Sequence, residues 1–132
     1  MTPVMDDRRR GTEADSGNAT LAVVAVGLAL VVAVFVGSVI IRYVAVLHQA
    51  RAAADLVAVT AATQAAAFMD DDSSCAAAGD IAGRNGAVMN SCQIVRAGPQ
   101  VAVQVEVQVA TGWTVPVLPA EVVATACAAN SP

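Results

Sequence analysis

Lysine is absent from this chain. Its seven basic side chains are all arginines, set against eleven acidic ones, and the formal charge is −4. That balance speaks against nucleic-acid binding, which needs a basic face to displace counterions. Aromatic residues are scarce too, at 3% of 132 residues, although 57% are hydrophobic. Any core must therefore be built from alanine and valine, which bury little area per residue. A small domain of that kind gains from a tether, a partner or a disulfide. His48 is the lone histidine, and no second titratable group converges on it in the sequence. Nor is there a nucleophile–base pair, a glycine-rich phosphate loop or a set of metal ligands. The expectation is a protein that is not an enzyme and carries no cofactor.

Charge is also missing from residues 19–41, ATLAVVAVGLALVVAVFVGSVII, whose only polar side chains are Thr20 and Ser38. As a helix at about 1.5 Å per residue this run spans roughly 30–35 Å, enough to cross a hydrocarbon core. Valine and isoleucine are mediocre helix formers in water. In lipid, however, every backbone group must be paired within the segment, and that requirement overrides propensity. A secretory signal is shorter, with an apolar region of about 7–15 residues. The run is expected to be a single transmembrane helix with the lipid bilayer as its partner.

Four regions follow: a polar leader or tail over 1–17, the transmembrane helix over 18–41, a helical stalk over 42–68 and a small domain over 69–132. In the leader, Arg8, Arg9 and Arg10 form the one basic cluster. The positive-inside tendency puts this end in the cytoplasm and the carboxy-terminal domain outside it, in a single-pass protein of the cytoplasmic membrane. Gly17 stands between the polar tail and the apolar run, the layout of a type IV prepilin-like leader. Cleavage between Gly17 and Asn18 by a prepilin peptidase is the corresponding expectation. Tyr43 follows the span as an interfacial aromatic.

No glycine or proline interrupts residues 38–78, and the helix is expected to continue past the span. At 100° per residue Val46, Ala53, Val57, Thr60, Gln64 and Phe68 share one side, while His48, Arg51 and Asp55 share the other. Asp70, Asp71, Asp72, Ser73 and Ser74 read as a solvated loop, with a serine capping a short helix over 75–84. Their spacing lacks the alternating ligands and glycine turn of a calcium loop. Asp80 and Arg84 stand in the favourable i,i+4 order, and Asn85-Gly86 closes that helix.

Strands follow at 87–95, 101–110 and 121–128, with a turn at 97–100 and a long loop at 111–119 that holds Trp113. Residues 101–110, VAVQVEVQVA, alternate most clearly: the odd-numbered valines face one way, and Gln104, Glu106 and Gln108 face the other. The fold class expected is α+β and membrane-anchored: a long amino-terminal transmembrane and stalk helix, a short second helix, and a three-stranded antiparallel sheet packed on the stalk.

Cys75 begins the short helix, and Cys92 lies in the first strand on the parity of Val88 and Ile94. They are too far apart for a metal knuckle, which pairs cysteines two to four residues apart. In an exported domain a disulfide is the natural reading. Cys127 is left over, as a small buried residue or an intermolecular contact.

Arg8-Arg9-Arg10-Gly11, Ser16-Gly17-Asn18-Ala19-Thr20 and the apolar run resemble the amino terminus of TadE-like pseudopilins. The stretch Gln49-Ala50-Arg51-Ala52-Ala53-Ala54-Asp55-Leu56, then Cys75-Ala76-Ala77-Ala78, Asn85-Gly86 and Cys92, resemble the short subgroup encoded beside a helicase and a secretion ATPase. The resemblance implies a pseudopilin-like fold and a minor pilin-like structural component of a tight-adherence (Flp-type) pilus or related secretion apparatus. Its partners would be other pilin-like or secretion-apparatus subunits. One position departs from the pattern. Pilin-like proteins usually carry glutamate at the fifth position after the cleavage glycine, and here that residue is Ala22. The other reading is a membrane-anchored accessory or sensor protein, unrelated to pili, with an exported disulfide-bonded interaction domain.

Overall fold

The computed structural model describes residues 11–67, 70–114 and 116–130, with side chains from residue 17 onward. Among the described residues five elements follow one another: α1 (Gly11–Ala66), α2 (Asp71–Arg84), β1 (Val88–Ala97), β2 (Gln100–Ala110) and β3 (Glu121–Ala129). This is the α+β arrangement the patterning implies. Arg8, Arg9, Arg10 and Phe68 lie outside the described residues. The chain divides into two compact units, Met1–Ile41 and Arg42–Pro132.

Among the described residues the first unit is helix alone. Every side chain from residue 17 to residue 36 is exposed, including Leu21, Val24, Leu28, Val31 and Phe35. The Ser38 hydroxyl donates to the Phe35 carbonyl at 2.7 Å, so this polar group is satisfied within its own helix.

In the second unit the rest of α1 joins a core with α2 and one face of the sheet. The helix contributes Ala50, Ala53, Ala54, Val57, Ala58, Ala61, Ala62 and Ala65 to it. The expected face is thus corrected in its centre. Ala53 and Val57 belong to it and Val46 packs at its margin, but Thr60 and Gln64 are only half-buried. The Thr60 hydroxyl donates to its own helix, to the Leu56 carbonyl at 2.8 Å. Alanines lie where larger residues were expected, and a side chain ending at Cβ leaves the space between helix and sheet to the valines of β2.

β2 is the central strand, antiparallel to β1 and to β3. Val101, Val103, Val105, Val107 and Val109 are all buried, as their alternation requires, and β3 adds Val122, Ala124 and Ala126. Gln104 and its neighbours stand on the outer face, where Asn90 donates to Gln108 Oε1 at 2.7 Å and to Glu106 Oε1 at 3.3 Å. The register of β1 shifts between Met89 and Ser91, leaving Asn90 without a partner opposite in β2. This bulge corrects the parity expected for β1. Met89 packs on the core with Cys92 and Ile94, while Val88 is exposed.

The acidic run also folds differently from the expected loop. Asp70 is the N-cap of α2, and Asp71 and Asp72 form its first turn. The Asp70 carboxylate accepts from the Ser73 amide at 3.0 Å and the Ser73 hydroxyl at 2.6 Å. These bonds hold its pKa below the ordinary 3.8. Acids at a helix N-terminus meet the positive end of its dipole, so α2 begins at Asp71 rather than Cys75. Ser74, expected as an alternative cap, is instead buried one turn further on, its hydroxyl donating to the Asp70 carbonyl at 2.9 Å. At the other end Asn85 caps the helix, and Gly86 takes the left-handed conformation at φ 70°.

Candidate functional site

What the sequence singles out is spread over surfaces of the described residues. Gly17 and Asn18 lie within α1, both exposed, with nothing within 4 Å of where a Gly17 Cβ would stand. From there the apolar surface continues to Ile41, and α1 is long and apolar enough to cross a membrane. Small residues recur every fourth position along it, at Ala25, Ala29, Ala33 and Gly37. Spacing of this kind lets transmembrane helices pack backbone to backbone.

Cys75 and Cys92 are joined in a disulfide, Cα to Cα 6.0 Å apart, that links α2 to β1. Cys127 is free and exposed, opposite Gln104 on the outer face of the sheet, which corrects its expected burial. The reason is parity: Val122, Ala124 and Ala126 take the inward positions of β3, so odd-numbered residues face out.

His48, Arg51 and Asp55 are exposed on the open side of α1, where Leu56 and Val59 also reach solvent. Among the described residues no group of three or more His, Cys, Asp or Glu side chains is placed to hold a metal ion.

Two arginines take positions that sequence periodicity does not signal. Arg96, near the end of β1, bonds Asp71 Oδ1 through Nη2 at 2.6 Å and Nε at 3.1 Å. Its Nη1 donates to the Ala65 carbonyl at 3.1 Å, in the last turn of α1. One guanidinium thus pairs with the start of α2 and satisfies a carbonyl left over at the end of α1. At the opposite end of the sheet, Arg42 stacks on Trp113, its Cζ 5.7 Å from the ring centroid. Trp113 belongs to the β2–β3 loop, which Thr111 closes at its base. The Thr111 amide bonds the Ala120 carbonyl at 2.8 Å, and its hydroxyl is shared between the carbonyls of Pro119 and Ala120 at 2.8 and 2.9 Å. The arginine contacts join residues far apart in the chain, so no local pattern could announce them.

No protein-family model, curated protein or solved structure matches this chain. Its function is read from the arrangement itself.

Proposed function

We propose that this chain is a minor pilin-like structural component, of TadE-like type, of a tight-adherence pilus or related secretion apparatus. In this reading residues 18–41 span the cytoplasmic membrane, with the amino terminus in the cytoplasm and the small domain outside. The observation that carries it is the division of labour along α1. The helix offers an unbroken, largely exposed apolar surface in its first part and the floor of a small disulfide-closed domain in its second. A scaffold of this kind holds a domain at a membrane and leaves its helix free to pack beside other helices. Partners would be other pilin-like or secretion-apparatus subunits.

The processing site follows from the same reading: a prepilin peptidase would cut between Gly17 and Asn18 at the cytoplasmic face. Mass spectrometry of protein isolated from membranes tests it. A mature species beginning at Asn18, abolished by Gly17→Val, is the expected result. That variant meets no steric obstacle in the folded chain, since the space around Gly17 is open. An intact amino terminus in a host with active prepilin peptidase would remove the pilin-like reading. Ala22, where pilin-like proteins usually have glutamate, favours a minor component over a main filament subunit. It also keeps a second reading in play, a membrane-anchored accessory or sensor protein unrelated to pili. A stable partner outside any pilus locus would favour that alternative.

A further inference from the structure

The β2–β3 loop has a composition that water does not explain. Residues 111–120, TGWTVPVLPA, contain no charged side chain. The Val117 side chain is 88% exposed, Pro116 is exposed, and Leu118 and Trp113 are half-exposed. Loops facing solvent are ordinarily polar, and a cluster of exposed apolar groups marks a surface that meets something else. The base of the loop is held in place: Thr111 pinches it through three hydrogen bonds, and Arg42 stacks on the Trp113 indole.

Arg42 identifies what the loop meets. It is bonded directly to Ile41, the last residue of the apolar run. Wherever that run leaves the hydrocarbon, Arg42 stands at the boundary, and the Trp113 ring stands 5.7 Å from it. Tyr43 follows immediately. Indole and phenol rings collect at the headgroup level of a bilayer, where one part of the ring is wet and another apolar, and a guanidinium there can pair with lipid phosphate. A second protein molecule could also cover an apolar loop, but nothing would then require its indole to stack on the residue that follows the apolar run.

We propose that the loop carrying Trp113, Val117 and Leu118 rests on the membrane surface, with these side chains in the headgroup region of the bilayer alongside Arg42. The inference builds on reading residues 18–41 as a membrane span. Its effect is to give the exported domain a second point of contact with the bilayer, which restricts how the domain can swing about its helix.

Trp113 is the sole tryptophan and therefore its own probe. The full-length protein, reconstituted in phosphatidylcholine vesicles, would be examined by tryptophan fluorescence with two quenchers, aqueous iodide and lipid brominated near the headgroup. Carbonate extraction is run on the same vesicles. The expected result is carbonate-resistant protein whose emission falls by roughly half with brominated lipid and is shielded from iodide, as for an interfacial indole. Val117→Asp, at a side chain that packs on little else, should weaken the lipid quenching and admit iodide. Carbonate-resistant protein quenched by iodide alone would overturn the loop contact while leaving the span standing. Protection from both quenchers would also overturn it, because protein rather than lipid would then cover the ring. Release by carbonate would remove the span itself, and the inference with it.

Discussion

Ala50, Ala61 and Ala65 have no exposed surface at all, and neither does Val57 between them. At the scale of single residues, the domain depends on how small these side chains are. A methyl at each position leaves room for the valines of β2, and a longer side chain would push the helix off the sheet. Ala61→Leu is expected to destabilise the domain by about 1–3 kcal/mol through overpacking. Leu56→Ala, at a side chain nearly half exposed, should change stability little. Thermal unfolding of the full-length protein in detergent micelles, followed by circular dichroism, compares the two. Equal effects would mean that the alanine face is loosely packed. The alternation of valines over 101–110 was legible because a period of two admits only one inward set. The alanine face was not, since alanines occur all round this stretch and their spacing does not single out one side.

At the scale of elements, α2 is short, polar outside, and attached through few side chains. Ser74, Ala78 and Ala82 are its buried positions, and Met89 reaches to 3.4 Å from where a Gly79 Cβ would stand. Such a helix buries too little to be held by packing alone, and the Cys75–Cys92 bridge and the Arg96 clamp supply the difference. With the cysteines 17 positions apart in sequence, the bridge restrains the unfolded chain by about 3 kcal/mol in the chain-entropy model. Cys75→Ser and Cys92→Ser should each make the domain protease-sensitive, and the double variant should be no worse than either single one. Cys127→Ser should be close to silent, because that thiol is exposed and free. Limited proteolysis with non-reducing peptide mapping reads all four. A bond from Cys127 to either partner would refute the pairing. The pair was legible in the sequence from compartment and spacing. The bulge at Asn90 was not, because an inserted residue leaves the composition of a strand unchanged.

At the scale of the whole molecule, the proposed topology has a native reporter. If the arginine cluster keeps the amino terminus inside, exposed Cys127 lies outside the cytoplasm. An impermeant maleimide should label it in intact cells. Ser16→Cys, placed on a Cys127→Ser, Gly17→Val background that retains the leader, should stay unlabelled until the membrane is permeabilised. The opposite pattern would invert the orientation and with it the exported setting in which the disulfide was expected.

The sequence by itself determined the elements whose cause is local. A run without charge dictates an apolar helix, alternating valines a half-buried strand, and Asn85-Gly86 a helix end. Each follows from backbone geometry and solvent preference within a few residues. It also determined that Cys75 and Cys92 were candidates for one bond. Only the tertiary structure decided which helix face meets the sheet, where β1 slips by a residue, and that the acidic run starts a helix. It alone brought Arg96 to Asp71 and Ala65, and Arg42 to Trp113. Those pairings span 25 to 71 residues of chain (96 − 71 = 25; 113 − 42 = 71). A contact at that separation depends on how the intervening elements are stacked, and no side chain carries that information alone.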